Sequence, residues 1–336
     1  IAICQHPQHL GRPCSPQPGV VLQGVIGTLQ AGMAAAARRA IAAHVYVSEG
    51  RDEALVARLA AAGAAAGATL ANRFLDVAYH RAGITLASTE DLTLEAGVSA
   101  VCQEALLALD LRQHSASHPR VGVVDHVACN PLGAATCEEA GVLAARIGRR
   151  LAAGSPAAAV PVYLYGAARP DGRPLAALRR SLGYFGGAQK GEWSGLSAEM
   201  TAALRALPPD FGPAEASERH GAVVVGAVPW VHNYNLLVLD GDLDREELMA
   251  RCRRIARAAS TRGGGPAAVE TMALPHERGV EVACNLQDVA ETPPEAVRAR
   301  VAELCQQEGV TLDSAYFTNK RPEEILDLVV PPDGQP

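Results

Sequence analysis

Aromatic residues are scarce in this chain of 336 residues, since phenylalanine, tryptophan and tyrosine make up 4% of it. The buried core must therefore be packed mainly from leucine, valine, isoleucine and alanine. No apolar run approaches the roughly 20 residues that are needed to span a bilayer, so we expect no membrane partner. The formal net charge of −6 argues against a general nucleic-acid-binding protein.

The chain also lacks closely paired cysteines. None of its eight cysteines forms a C-x-x-C pair, and no spacing resembles that of a zinc site, so we expect no bound metal. Several cysteines fall within apolar helix or strand patterns, which is typical of small buried side chains in a reducing compartment. The cysteines are Cys4, Cys14, Cys102, Cys129, Cys137, Cys252, Cys284 and Cys305.

Aspartate and glutamate are absent from residues 1–44, and the first methionine is Met33. Acid-poor leaders that contain arginine and alanine are typical of organelle transit peptides. The segment contains a single serine, Ser15, which favours a mispredicted gene start, with Met33 as the true beginning. We therefore predict a disordered leader or a mispredicted start at 1–44 and a cytoplasmic protein. A transit peptide would instead make the protein organellar.

The apolar periodicity of the remaining chain alternates between strand and helix. Residues 45–221 give the order βαββαβαβ and end in a long connection rich in glycine, proline, arginine and serine. Residues 222–332 give the order ββαββα. The predicted fold class is α/β, an α+β sandwich of two subdomains. Each subdomain would be a mixed β-sheet packed with helices, and a ligand cleft would lie between them.

Local patterns predict several element ends. Thr136 is followed three residues later by Glu139, which predicts a capping box at a helix start. The glycine run at 263–266 follows a helix and lacks the lysine of a phosphate-binding loop, which predicts a helix C-cap and turn. The runs at 269–274 and 279–285 predict a β-hairpin.

Three histidines, an arginine and an aspartate lie within the thirteen residues that run from His114 to His126. A helix pattern precedes this stretch and a strand pattern begins within it, so it predicts a loop that can hold reactive side chains at a cleft. Histidine titrates close to neutral pH and can both accept and donate a proton. Strand alternation would place Asp125 and His126 on opposite faces. The spacing alone is also compatible with a solvated loop.

The run from His118 to Asp125 reads H-P-R-V-G-V-V-D. It resembles the H-P-R-x-G-x-x-D signature of the formiminotransferase domain, which forms the N-terminal half of formiminotransferase-cyclodeaminase. Three further runs follow the family order: V-Y-V-S-E-G-R at 45–51, V-P-V-Y-L-Y-G at 160–166 and P-D-F-G-P at 209–213. The resemblance covers residues 45 to 332 and is to the shorter formiminotransferase-like proteins of plants and algae, which lack the cyclodeaminase half.

The resemblance implies a folate-dependent transferase of the glutamate formimidoyltransferase type. Such an enzyme moves the formimino group of N-formimino-L-glutamate to N5 of tetrahydrofolate, the co-substrate, and needs no metal. The implied setting is one-carbon metabolism and histidine catabolism. The resemblance also implies a homodimer whose ligands are small molecules, folate and formiminoglutamate, with neither nucleic acid nor membrane as a partner.

The resemblance also implies functional residues. His118 would be the catalytic general base. Arg120 and Arg81 would hold the carboxylates of formiminoglutamate, and Asn235 would hydrogen-bond the pterin or the glutamate. The family's folate segment falls on Gly212, Pro213, Ala214, Glu215, Ala216, Ser217, Glu218, Arg219, His220 and Gly221.

The chain departs from the family pattern at several places. The loop Asp76–Arg81 is shorter than the family's acidic loop, and Ser117 stands where animal enzymes have an acidic residue. Glu215 and Glu218 add negative charge to the folate segment. These departures favour an alternative, a non-catalytic folate- or metabolite-binding protein of the same fold. A transferase that uses another one-carbon donor is a further alternative.

Overall fold

The computed structural model describes residues 38–154, 159–186, 192–239 and 243–331. The strands are β1 (Arg39–Val47), β2 (Thr69–Asp76), β3 (Arg81–Ser88), β4 (Ser115–Ala116), β5 (Val124–Gly133), β6 (Val162–Gly166), β7 (Trp193–Ser194), β8 (Val223–Ala227), β9 (His232–Leu239), β10 (Val269–His276), β11 (Gly279–Leu286) and β12 (Thr311–Phe317). The helices are α1 (Glu53–Ala65), α2 (Asp91–Ala108), α3 (Cys137–Ala152), α4 (Leu175–Ser181), α5 (Ala198–Ala206), α6 (Arg245–Ala259), α7 (Pro294–Glu308) and α8 (Pro322–Val329).

The larger sheet has six strands in the order β2-β3-β1-β5-β8-β6. Neighbouring strands among the first four in this order, β2, β3, β1 and β5, pair antiparallel. Strand β8 pairs in parallel with both β5 and β6. Helix α3 makes the crossover that a parallel arrangement of β5 and β6 requires. Helices α1, α2 and α3 cover one face of this sheet and bury an apolar core that includes Leu59, Leu86, Val101 and Ile147.

The smaller sheet has the order β10-β11-β9-β12 and is antiparallel throughout. Helices α6 and α7 pack on one face and enclose a second core that includes Leu236, Cys252, Val282 and Val301. The predicted fold class, a two-subdomain sandwich of sheets and helices, is therefore confirmed. Within the described ranges, none of the helices has both the length and the apolar character that crossing a membrane requires.

The subdomain limits differ from the sequence-based assignment. Strand β1 begins at Arg39, so residues 39–44 belong to the larger sheet rather than to the leader predicted at 1–44. This half of the strand is alanine-rich and buried on both faces, so it shows no strand-like alternation. Strand β8 and helix α8, which the sequence assigns to 222–332, both pack with the larger sheet. Met33 lies outside the described residues.

The local predictions are confirmed. Thr136 and Glu139 form the capping box at the start of α3. Gly264 caps the short 3-10 helix Thr261–Gly263 in the left-handed conformation, and β10 and β11 form the predicted hairpin. The cysteines within the described residues are free thiols, and only Cys137 among them is partly exposed, whereas Cys4 and Cys14 lie outside those residues.

The second face of the larger sheet is divided into three zones. At one end, Ile325 and Leu326 of α8 pack on small apolar residues of β1, β2, β3 and β5. At the other end, α4 and α5 pack on Tyr163 and Tyr165 of β6. The middle zone carries polar and aromatic side chains instead. These are His44, Tyr46, Arg81, Thr85, His126 and Asn130.

Candidate functional site

His118 lies in the loop between α2 and β5, at the edge of the middle zone, and is partly exposed. Its Nδ1 lies 2.7 Å from the carbonyl oxygen of Pro119, and its Nε2 lies 3.2 Å from Nη1 of Arg81. A guanidinium can only donate, so Nε2 is the acceptor and Nδ1 carries the hydrogen that is donated to Pro119. The imidazole is therefore held as the tautomer whose unprotonated nitrogen is Nε2.

The charge state of His118 follows from its surroundings. Burial lowers the pKa of His118 well below 6.5, and the positive charges of Arg81, Arg179 and Arg120 lower it further. The hydrogen bond to Pro119 opposes this shift but does not reverse it. The ring is consequently neutral at pH 7 and carries a lone pair on Nε2 that can accept a proton.

Arg81 is the first residue of β3 and links three parts of the site. Besides the bond to His118, its Nη2 donates to Oδ2 of Asp125 at 3.1 Å. Its guanidinium carbon lies 4.2 Å above the ring centre of Tyr46. Sequence reasoning named Arg81 as a substrate-binding residue, and the structure brings it directly beside His118.

Asp125 owes its position to a β-bulge. The register between β1 and β5 shifts so that Tyr46 faces His126 and Val47 faces Val124, which leaves Asp125 as the extra residue. Its side chain is 1% exposed, and its Oδ1 accepts from the backbone N–H of Val121 at 2.7 Å. Asp125 binds Arg81, which covers Tyr46, while His126 stacks on Tyr46 at 5.6 Å. The prediction of opposite faces is therefore wrong, because the bulge interrupts the alternation.

Arg120 braces the loop itself. Its Nη1 donates to the carbonyl oxygen of Trp193 at 2.9 Å and its Nη2 to that of His118 at 2.5 Å. The residue is 4% exposed, and burial lowers its pKa to about 10 although the charge of Asp125 opposes this. These bonds join the histidine loop to β7, and carboxylate binding by Arg120 stays a prediction.

The short turn between β2 and β3 is held by two more histidines. His80 has a φ of 48°, in the left-handed region that non-glycine residues seldom adopt. Its ring stacks on His114 with ring centres 4.1 Å apart, and its Nε2 lies 3.2 Å from Oε1 of Glu49. His114 Nε2 in turn lies 2.9 Å from the carbonyl oxygen of His80. These contacts fix the turn that precedes Arg81.

Asn235 belongs to the smaller sheet. It lies on β9 and donates to Oε2 of Glu281 at 2.9 Å. Glu281 is 1% exposed and also accepts from the hydroxyls of Tyr79 and Tyr316, each at 2.7 Å. The ring of Tyr79 is 5.6 Å from that of His118, so Asn235 is connected to the site through the contact between the two subdomains. A direct bond from Asn235 to a ligand stays a prediction.

The segment Gly212–Gly221 meets the histidine loop only at its end. Gly212, with φ of 91°, packs against the carbonyl oxygen of Val160, and most residues between it and His220 are exposed. Gly221, with φ of 69°, lies so close to the carbonyl oxygen of Val121 that a Cβ would be 2.3 Å from it. A glycine is therefore required there. Folate binding by this segment stays a prediction.

The middle zone continues the site along the sheet. Nε2 of His126 lies 2.7 Å from the hydroxyl of Tyr165, and Nδ1 of His44 accepts from Asn319 at 2.8 Å. Burial lowers the pKa of His44 to about 4 and that of His126 well below 6.5. These rings are therefore neutral, and with Tyr46 they form a polar and aromatic cluster on this face of the sheet.

Two residues of the site, Arg179 and Tyr184, belong to no sequence motif that predicts a functional role. Arg179 of α4 lies over the ring of Tyr184 at 4.4 Å, and its Nη2 is 3.5 Å from Oδ2 of Asp125. Helical spacing contained a signal, because Leu175, Leu178 and Leu182 form one apolar face that Arg179 shares. An arginine on an apolar helix face is seldom there for solubility alone.

The chain is similar in sequence to known proteins of one family. The profile of the formiminotransferase domain, N-terminal subdomain, matches residues 40–228, which end just after β8. A formiminotransferase cyclodeaminase-like protein of Arabidopsis thaliana is 40% identical over 84% of this chain and 94% of its own length. The formimidoyltransferase-cyclodeaminase of Gallus gallus is 30% identical over 70% of this chain and 41% of its own length. The glutamate formimidoyltransferase of Streptococcus pyogenes serotype M1 is 27% identical over 65% of this chain and 67% of its own length.

Proposed function

This chain belongs to the formiminotransferase domain family, and from that membership and the His118 site we propose that it transfers the formimino group of N-formimino-L-glutamate to N5 of tetrahydrofolate. The observation that carries the proposal is the tautomer of His118. Pro119 holds the hydrogen on Nδ1, which leaves Nε2 as the acceptor at the side of Arg81. A neutral imidazole with a defined acceptor nitrogen is what a general base requires.

The proton balance of this transfer needs one group that both accepts and donates. When the N5 amine bonds to the formimino carbon, Nε2 of His118 accepts the proton that N5 loses. His118 then returns this proton to the nitrogen of glutamate as the bond between that nitrogen and the formimino carbon breaks. One histidine therefore closes the cycle, and the products are 5-formiminotetrahydrofolate and glutamate.

Arg81 sets a condition on this role. Its Nη1 donates a hydrogen bond to the lone pair of Nε2. The reacting amine must displace that hydrogen bond before His118 can accept a proton. We propose that a carboxylate of the donor draws Arg81 away, since a guanidinium binds a carboxylate more strongly than a neutral imidazole.

The same hydrogen bond favours a second candidate, a non-catalytic protein that binds folate or a related metabolite. If Arg81 keeps Nε2 occupied when ligands are bound, the protein would keep the fold without a working base. The exposed acidic residues Glu215 and Glu218 also favour this alternative, because folate carries an anionic tail.

Measurement of tetrahydrofolate binding and of formimino transfer on the full chain separates the two. We expect His118→Ala to lower kcat by about 10²- to 10⁴-fold, since it removes general base catalysis, with tetrahydrofolate binding retained. Added imidazole should restore part of the activity. His276→Ala is the matched control, because His276 lies at the β10–β11 turn, and it should keep wild-type kcat.

Each result has one meaning. Transfer by the wild type that survives in His118→Ala would remove His118 from the proposed role. Tetrahydrofolate binding without transfer in the wild type would favour the binding-protein alternative. The folate segment at Gly212–Gly221, the homodimer and the cytoplasmic location stay predictions. Protection of that segment in hydrogen exchange, the mass in solution and the location of a tagged chain would test them.

A further inference from the structure

Positive charge is in excess around His118. Three guanidinium groups, those of Arg81, Arg120 and Arg179, act on the imidazole, whereas Asp125 is the one carboxylate that binds into this group among the described residues. Arg120 donates its hydrogen bonds to backbone carbonyl oxygens, and Arg81 donates to His118 and Asp125. The group therefore carries uncompensated positive charge, which an anionic ligand would neutralise.

Arg179 is the member of this group whose bonding capacity is least used. Its Nε and Nη2 are buried and make no hydrogen bond to any described residue. The ion pair with Asp125, at 3.5 Å, lacks hydrogen-bond geometry. A buried guanidinium in this state is unfavourable unless a ligand completes it, and its fork matches a carboxylate.

Tyr184 provides an independent observation. The residue is 2% exposed, and its hydroxyl is buried without a hydrogen-bond partner among the described residues. Its ring lies under Arg179 at 4.4 Å and contacts His118 edge-on, with ring centres 6.4 Å apart. An unused hydroxyl and an unused guanidinium thus lie together beside the proposed base.

We propose that Arg179 and Tyr184 form a carboxylate-binding subsite that holds the glutamate part of the donor. This rests on the proposed function and names the residues that select its donor. The donor rather than the folate tail is the occupant, because in formiminoglutamate the α-carboxylate is two bonds from the nitrogen that His118 protonates. The carboxylates of folate are separated from N5 by the whole aminobenzoyl group.

The subsite would also make the basicity of His118 depend on donor binding. A carboxylate bound at Arg179 adds negative charge beside Asp125 and weakens the hold of positive charge on His118. Donor binding would therefore strengthen His118 as a base at the moment when it is needed.

The test compares Arg179→Gln with Arg180→Gln, its exposed neighbour on the same helix. Binding of L-glutamate and of glutarate is measured by calorimetry, together with the kcat and KM of transfer and the Tm. We expect Arg179→Gln to raise the Kd for L-glutamate and the KM for formiminoglutamate by about 10- to 100-fold, since a charge-assisted pair is lost. The Tm should change little, and Arg180→Gln should match the wild type.

Tyr184→Phe keeps the test sharp if Arg179→Gln does not fold. It removes one hydroxyl and should raise the Kd for L-glutamate by about 5- to 10-fold. Glutamine and 4-aminobutyrate, which each lack one carboxylate, show which carboxylate the subsite holds.

Unchanged glutamate affinity in these variants would overturn the proposal, as would a wild type that binds neither L-glutamate nor glutarate. A wild type without transfer whose glutarate binding still depends on Arg179 would overturn the proposed function and leave the subsite standing.

Discussion

The two faces of the larger sheet are built from alternate residues of the same strands. They differ in whether their buried polar atoms have hydrogen-bond partners. Along β1, Ile41 and Val45 face the helices, whereas His44 and Tyr46 face the middle zone. On the helix face, aliphatic side chains fill the space between the sheet and α1 to α3. On the other face, several buried polar atoms have no hydrogen-bond partner among the described residues; they include Arg81 Nε, Arg179 Nε and Nη2, Tyr184 Oη and Asn130 Oδ1.

This difference separates stability from function. Burial of aliphatic side chains stabilises the fold, whereas a buried polar group without a partner destabilises it by about 1–3 kcal/mol. The middle zone is thus maintained at a cost to stability, which is expected of a surface that a ligand completes. Substitutions on the two faces should consequently change different properties.

The largest expected effect is at Asp125, the charge that holds the polar face together. Asp125→Ala leaves the guanidinium of Arg81 and the N–H of Val121 without their acceptor, and it removes the negative charge that lies 3.5 Å from Arg179. We expect the free energy of unfolding, measured in urea, to fall by about 3–5 kcal/mol, because breaking a buried ion pair exposes its partners to the full desolvation cost.

Asp171→Ala provides the control for that measurement. Asp171 pairs with Arg169 at the surface, where its side chain is 56% exposed. Its loss should cost about 0–1 kcal/mol. If Asp125→Ala costs no more than Asp171→Ala, the polar face does not depend on its charge network and the contrast between the faces disappears.

The next effect belongs to the helix face. Leu86 is fully buried on β3 and contacts the glycine positions Gly63 of α1 and Gly97 of α2. Leu86→Ala should lower the free energy of unfolding by about 3 kcal/mol through lost burial and the cavity left behind. Leu92→Ala, at a site that is 73% exposed, should change it by about 0.5 kcal/mol or less. Glutamate affinity should be unchanged in both, and a loss of affinity in Leu86→Ala would couple the two faces.

Several elements could be predicted from the sequence because their signals are local. Thr136 and Glu139 define the start of α3 through contacts three residues apart, and the β10–β11 hairpin follows from two apolar runs and a turn. The position of His118 could also be predicted, because the H-P-R run is contiguous. In each case the residues that decide the structure are close together in the chain.

The rest could not be predicted because it depends on contacts between distant residues. The bulge at Asp125 exists only through pairing with β1, nearly eighty residues earlier. Strand β8 follows the folate segment in sequence but inserts between β5 and β6. The convergence of Arg179 on Asp125 requires α4 to fold onto that sheet, and only the apolar spacing around Arg179 hinted at it.

The smallest effect concerns the histidines of the polar face, and His44 represents them. Its hydrogen-bond partners, Thr85 and Asn319, and its ring neighbour Trp230 are all neutral. Burial therefore lowers the pKa of His44 to about 4 without a charge to offset it. Because the folded state resists a proton that the unfolded state accepts near pH 6.5, the contribution of His44 to stability is complete above that pH. It is lost as the pH falls from 6.5 toward 4.

Urea unfolding of the wild type and of His44→Asn at pH 7.0 and 5.5 measures this contribution. Acidification should destabilise the wild type by about 1 kcal/mol more than the variant, which follows from one proton bound only by the unfolded state. An NMR titration that finds the pKa of His44 near 6.5 would contradict its burial as a neutral ring. If His44 is a buried neutral ring, a ligand that fills the middle zone should exclude more water and lower the pKa of His44 further. A pKa that the ligand leaves unchanged would mean that the polar face differs from the helix face in composition alone. A pKa that the ligand lowers would mean that the polar face is also arranged to bind a ligand.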